Sequence, residues 1–365
     1  MQLMDQLAPP YLAMEGDPIG LQVGDRHAPL KNILVTLEVT PETLAEAQRR
    51  GANLVVSHHP LIFEPLKNLD YRSPIGAIIR NFVVNDIHLM IAHTNLDTAP
   101  RGLNHYLSEQ FGISPANFLH ATYQDRLLKL VVFTPKGYEE DVRKAVAEAG
   151  AGWIGNYSHC SFQADGIGTF MPGEGTYPFQ GKIGQLEKTE EIRLETVLPS
   201  SILDTVMSAV QKSHPYEEAA IDLYPLENQY ITGGLGVWGS LQQKTTLKEM
   251  AVKCKDIFPV EKVRVWGDLH KEISTMALCG GSGGSLIEKA LENQVDLYIS
   301  GDLKHHEIQY GLQHGMALLD AGHRGTEEPV VDYVAGYLRE GLKEQGFSHE
   351  VSTAFVSSKG KEHFI

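Results

Sequence analysis

The sequence predicts an α/β fold: mostly parallel sheets flanked by helices, interrupted by a ferredoxin-like insertion of βαββαβ order. Three observations predict it. Short apolar runs alternate with helical stretches in both terminal thirds, the rhythm of parallel strands covered on both faces. Between them the order changes to strand, helix, two extended segments, helix and strand. Polar clusters follow strand ends on both sides of that middle segment and are absent from it. These observations place one core domain at residues 1–126 plus 231–365 and an insertion at 127–230, within a chain of 365 residues.

The elements follow in order. Asn32–Leu37 is an apolar strand run, and Thr40-Pro41-Glu42 opens a helix with proline in its first turn. Asn53–Val56 is a second buried strand, ending at Ser57-His58-His59-Pro60. Ser73-Pro74 opens a helix with Ile75, Ile78, Ile79 and Phe82 at helical spacing, and Ile87–Ala92 is a third strand. In the middle segment, Leu127–Thr134 reads as strand, Lys136–Ala149 as helix, Cys160–Met171 and Ile192–Leu198 as extended, Ser200–Ser213 as helix and Ala219–Tyr224 as strand. Glycines 166, 168, 173, 175, 181 and 184 suggest a long hairpin or arm. After Gly233-Gly234 the first rhythm resumes: helix Thr246–Phe258, strands Val263–Trp266 and Thr275–Cys279, helix Ser285–Glu292, strand Leu297–Ser300, helix His306–Gln313 and strand Ala317–Leu319. A long helix from about Thr326 and the segment Phe355–Ile365 close the chain.

Composition narrows the function. The 42% hydrophobic and 21% charged shares are those of ordinary globular chains. A formal net charge of −15 argues against nucleic acid and anionic lipid as partners, which need clustered Lys and Arg. Three cysteines, Cys160, Cys254 and Cys279, share no C-x-x-C spacing, so a reducing, cytoplasmic setting is expected rather than a disulfide framework. The N-terminus shows no basic region followed by an apolar core. No run of about 18 apolar residues offers a membrane span.

The chemistry points to metal. His58-His59, His93 with Asp97, and His323 with Glu327 each stand just past a buried strand. Carboxyl ends of parallel strands form the ligand-binding edge of such sheets, so the three clusters can converge. Pro60 restricts its predecessor and ends the strand, freeing both imidazoles to turn toward one edge. Two adjacent histidines can then serve two ions. Thr326 is expected to cap the last helix, placing Glu327 in its first turn, where the helix dipole favours a carboxylate. Two divalent ions carry +4 against −2 from Asp97 and Glu327, and the residual charge brings a bound water from a pKa of about 15.7 toward neutrality. Imidazole with carboxylate suits Zn²⁺, Fe²⁺, Mn²⁺ or Co²⁺ without choosing among them. A lone histidine is more often a core or surface residue; the coincidence of three clusters carries the reading. His306, after the strand Leu297–Ser300, and His93 are candidates to move protons. The loop Gly280–Gly284, with Ser282 and Gly283, is a candidate phosphate holder between a strand and a helix.

These motifs resemble the NIF-three-like family, whose members carry the name GTP cyclohydrolase 1 type 2 homologue. The residues concerned are Gly20–Gly24, Ser57–Leu61, Ala92–Asp97, Gly301-Asp302 and Asp320–His323 with Thr326-Glu327. Gly155–Ser158 and His214–Glu218 are similar to the PII/CutA-like insertion of the longer, YqfO-type members. The resemblance implies a dinuclear centre on His58, His59, Asp97, His323 and Glu327, and a toroidal homohexamer. It also implies hydrolytic opening of the imidazole ring of GTP. Two stretches depart from the family pattern, Leu37-Glu38-Val39-Thr40 and Gly16–Gly20, and both are expected to lie clear of the five ligands. Two functions follow: a metal-dependent hydrolase of a nucleotide-like or phosphorylated small molecule, or a non-catalytic metal-binding regulatory assembly whose insertion senses a ligand.

Overall fold

The computed structural model describes residues 1–155 and 157–355; the end of the closing segment and Asn156 of the Gly155–Ser158 motif lie outside the described residues. The chain divides into two compact units, one formed by Met1–Tyr123 together with the chain from Gly233 onward, the other by Gln124–Thr232. It is a mixed α/β protein with sheets flanked by helices.

In the first unit, strands Ile33–Thr36, Leu54–Ser57, His88–Ile91 and Val351–Ala354 lie parallel, with Gly20–Val23 antiparallel on one edge. The register pairs Thr36 with Ser57 and Ser57 with Ile91, so the carboxyl ends are level. Helices Pro41–Arg49 and Pro74–Val84 return the chain between these strands. Their starts are local: Thr40 and Ser73 accept the N–H groups of Thr43 and Gly76, and each helix has proline at its first position. Leu34, Val55, Phe82, Leu89 and Ile91 form the apolar layer on one side of this sheet.

A second set of parallel strands, Glu272–Ser282, Leu297–Gly301 and Ala317–Asp320, carries Arg264–Trp266 antiparallel at one side and the later part of Ala220–Thr246 at the other. Its ends are level too, Ser300 pairing with Asp320. Between the two sets lies the main core, where Val35, Val56 and Met90 meet Met276, Ile299, Leu319 and Val334 of helix Pro329–Glu344. Burying such aliphatic side chains contributes about 1.5–3 kcal/mol each, which fixes the two strand sets in the unit.

In the other unit the strands run in the order Ser161–Phe170, Glu187–Pro199, the later part of Asn117–Pro135, and the early part of Ala220–Thr246. Helices Glu139–Glu148 and Leu203–Ser213 supply Val142, Val146, Val206 and Val210 to a core with Leu130, Val132, Leu194 and Leu198. The glycine-rich stretch is the antiparallel pair Ser161–Phe170 with Glu187–Pro199 and its exposed connection.

Two expectations are corrected. The strand expected at Ala219–Tyr224 does not stop there but runs from Ala220 through Gly233-Gly234 to Thr246. A Cβ at Gly234 would press on Phe118 and the His120 carbonyl, so glycine is there for close approach rather than for a turn. The last helix is also split into His323–Glu327 and Pro329–Glu344.

Asp296, just before strand Leu297–Gly301, accepts the N–H and hydroxyl of both Ser274 and Thr275 at 2.8–3.2 Å. Burial pushes its carboxyl up, but these four bonds outweigh burial and hold it below the usual carboxylate range. A depressed folded pKa stabilises the protein above the unfolded value and loses that stability as pH falls through the folded one. Asp296→Ala is therefore expected to cost about 1.5–3 kcal/mol in urea unfolding at pH 7. The gap to wild type should narrow toward pH 3.

Candidate metal centre

The level strand ends of the first unit deliver side chains to one place. His58 and His59 follow strand Leu54–Ser57, and their N–H groups still bond to Thr36 and Leu37 carbonyls, which sets the backbone from which both imidazoles leave. His93 caps the short helix Thr94–Asp97 behind strand His88–Ile91. Helix His323–Glu327 follows strand Ala317–Asp320 through Gly322, whose φ of +76° a side chain would strain.

The sequence-predicted ligands His58, His59, Asp97, His323 and Glu327 are gathered here. Glu327 Oε2 stands 3.0 Å from His59 Nε2 and 3.2 Å from His323 Nε2; its Oε1 lies 3.8 Å from His58 Nε2. His58 Nε2 is 3.6 Å from Asp97 Oδ1. His93 completes the group, its ring centroid 5.3 Å from that of His58 and 5.8 Å from that of His59. Donor atoms of His58, His59 and His93, and of His59, His323 and Glu327, lie within 4.8 Å of one another and can hold a metal ion.

Polar bookkeeping supports that fit. His58 Nε2, Asp97 Oδ1 and Glu327 Oε2 are buried and make no aligned hydrogen bond among the described residues. Buried polar atoms without partners each cost about 1–3 kcal/mol, and here His58 Nε2 faces Asp97 Oδ1 while Glu327 Oε2 faces His59 and His323, so the group calls for a shared cation or proton. Glu327 is only 4% exposed; burial pushes its carboxyl up, yet His323, His58 and His59 draw it well below the usual range. Asp97 goes the other way: burial dominates and raises it, despite the pull of His58. Burial lowers His59, but Glu327 and Glu38 override it and raise the imidazole to about 9. His58 is likewise raised, Asp97 and Glu327 outweighing burial.

A further layer holds these groups in place. Asp320 is fully buried and accepts the N–H groups of Leu303 and Gly322 and the Arg264 guanidinium, tying together the two loops that carry Asp302 and His323. Asn104 joins the Asp97 carbonyl to the Gly280 N–H. Gly281, at φ +69°, stands so close that a Cβ there would collide with Glu327 Oε1.

Several expectations change. Thr326 is not a helix cap; the helix starts earlier, at Gly322, and the Thr326 hydroxyl accepts the Gly281 N–H at 2.9 Å. Glu327 thus ends a short helix, and imidazoles rather than a helix dipole stabilise its charge. Glu38, expected to lie clear of the ligands, sits 3.8 Å from His59 Nδ1 and 3.9 Å from Arg324. Asp17, in the other departing stretch, is bonded to none of the five among the described residues but accepts from His93 Nδ1 at 2.8 Å. Both acids were legible only as departures, because nothing in their spacing ties them to histidines 21 and 76 residues away. His306 is exposed on helix His305–Gln313 and contacts none of the cluster among the described residues. In the glycine loop the N–H groups of Gly280, Gly281 and Gly283 are committed to Asn104, Thr326 and Ser300, while Ser282 is exposed. Cys160, Cys254 and Cys279 are free thiols. No described helix is long and apolar enough to cross a membrane.

Comparisons with known proteins place the chain among relatives of the same fold. A Bacillus subtilis (strain 168) protein named GTP cyclohydrolase 1 type 2 homolog is 44% identical over 323 residues, covering 88% of this chain and 87% of that one. One of the same name from Halalkalibacterium halodurans is 39% identical over 356 residues, 98% of this chain and 95% of the relative. The crystal structure of a Bacillus cereus protein related to NIF3 superposes with a TM-score of 0.89 at 39% identity, covering all of this chain and 97% of that one. The Duf34/NIF3 (NGG1p interacting factor 3) profile matches residues 1–359, and the chain belongs to that family.

Proposed function

We propose that this protein is a dinuclear-metal hydrolase acting on a nucleotide-like or phosphorylated small molecule in the cytoplasm. The observation that carries the reading is the set of buried, unpartnered donor atoms on His58, Asp97 and Glu327, the first two facing each other and the third facing His59 and His323. Such a set suits Zn²⁺, Fe²⁺, Mn²⁺ or Co²⁺. Bound there, two ions would supply Lewis acidity and bring a water within reach of deprotonation near neutral pH. The chain's own part is to present four imidazoles and two carboxylates on rigid strand ends, and to exclude water from His58 and Glu327. The relatives' shared name, GTP cyclohydrolase 1 type 2 homolog, makes GTP the first substrate to test. Of the two histidines expected to move protons, His93 stands in the cluster, and exposed Ser282 remains available to a substrate at its edge. The hexameric ring implied by the family resemblance belongs to the same proposal.

Metal analysis tests the centre. Wild type is expected to hold about two ions per chain, and Glu327→Ala to lose them. Gly281→Ala, which drives a side chain into Glu327, should lower occupancy too. Occupancy unchanged in Glu327→Ala would overturn the reading.

Turnover tests the chemistry. Metal-loaded protein, incubated with GTP and a panel of nucleotides and phosphoesters, should release product at a rate that Asp97→Ala reduces by about 100-fold or more. Equal traces from both proteins would mean that no hydrolase resides in this site.

Affinity should depend on pH in a defined direction. Metal-free His59 holds its proton up to about pH 9, and a metal takes only the neutral imidazole. Apparent affinity is therefore expected to rise about tenfold per pH unit for each proton displaced. The rise should level off near pH 9, with proton release on Zn²⁺ addition visible in weakly buffered solution.

A further inference from the structure

The imidazoles of the cluster share an orientation that the five-ligand set does not use in full. His58 Nδ1 donates to the Ala92 carbonyl at 2.9 Å, His323 Nδ1 lies 3.1 Å from Asp302, and His93 Nδ1 lies 2.8 Å from Asp17. His59 Nδ1 faces Glu38 more loosely, at 3.8 Å. A carbonyl or ionised carboxylate only accepts, so in each neutral imidazole Nδ1 carries the proton and Nε2 keeps the lone pair. This is the pattern of metal-binding histidines, whose outer N–H is held by an acceptor that fixes the tautomer and the ring.

Asp17 is built for the task. Its side chain is only 5% exposed, and its second oxygen accepts both the N–H and the hydroxyl of Thr94. The carboxylate is thus anchored to the residue after His93 and cannot swing away.

Counting donors gives the reason for a fourth imidazole. One nitrogen lone pair serves one ion. His59 and His323 both turn Nε2 to Glu327 Oε2 and form one position. The other oxygen of Glu327 and Asp97 Oδ1 both face His58 Nε2, leaving the second position a single imidazole. His93, whose donor atom lies within 4.8 Å of those of His58 and His59, supplies the missing one.

We propose that His93 is a metal ligand, paired with His58 and Asp97 at the second position, and that Asp17 is the positioning residue that holds its Nε2 inward. The assignment rests on the metal-centre reading above. It gives each ion two imidazoles and a share of Glu327, and it removes His93 from the role of free proton carrier.

The test is a Co²⁺ titration of metal-free full-length protein, followed by calorimetry and by the visible absorption of the bound ion. Wild type is expected to bind two ions. His93→Gln should weaken one of them by about 100-fold or more and change the absorption of that ion alone. Asp17→Asn, which keeps the imidazole and loses the carboxylate, should weaken the same ion by about 10–100-fold, and Asp17→Glu should restore part of the loss. If His93→Gln does not fold, as judged by circular dichroism in chelator, the Asp17 pair decides alone. Two ions bound with unaltered affinity and absorption in the soluble variants would overturn the assignment while leaving the centre intact. Failure of wild type to bind any metal would instead sink the centre itself.

Discussion

A carboxylate buried among imidazoles governs this protein. Glu327 is sealed from water, and its two oxygens face three histidines while a glycine backbone closes the fourth side. A buried charge is tolerated only when compensated, and neutral imidazoles cannot supply a full countercharge. Either protons or metal cations must. That demand explains why Gly281 has no side chain, why Thr326 is turned back to hold the Gly281 N–H, and why Gly322 takes a left-handed backbone to start the helix early.

The two strand sets serve this one requirement. Their registers level the carboxyl ends within each set, and the residues past Ser57, Ile91 and Asp320 meet at one place in the unit. The aliphatic core between the sets keeps that alignment rigid, and Asp320 and Asn104 lock the connecting loops. Rigidity matters because metal affinity falls when donors must be gathered from a loose arrangement.

Outside the donors sits a ring of further acids: Asp17, Glu38 and Asp302 behind His93, His59 and His323. With Asp97 and Glu327 they make the metal-free pocket strongly anionic, and Arg324 near Glu38 offsets only part of that charge. The raised imidazole of His59 answers that excess, whereas burial comes first in raising the carboxyl of Asp97 and the charge of Glu327 adds to it. Cations relieve it in one step, and the outer acids then fix ring orientation rather than repel.

The sequence alone determined the alternation of buried strands and helices, and it put His58, His59, His93, Asp97, His323 and Glu327 just past strand ends. Both signals are local: apolar periodicity marks a buried strand, and proline or glycine marks where it stops. The helix start at Gly322, the passage of one strand through Gly233-Gly234, and the roles of Asp17 and Glu38 were decided by tertiary structure. A glycine reads alike whether it turns the chain or admits a neighbour, as it does against Phe118. An aspartate 76 residues from its histidine has no periodicity to betray it. Only packing brings them within hydrogen-bond distance, because the energy of that contact belongs to the pair and not to either segment.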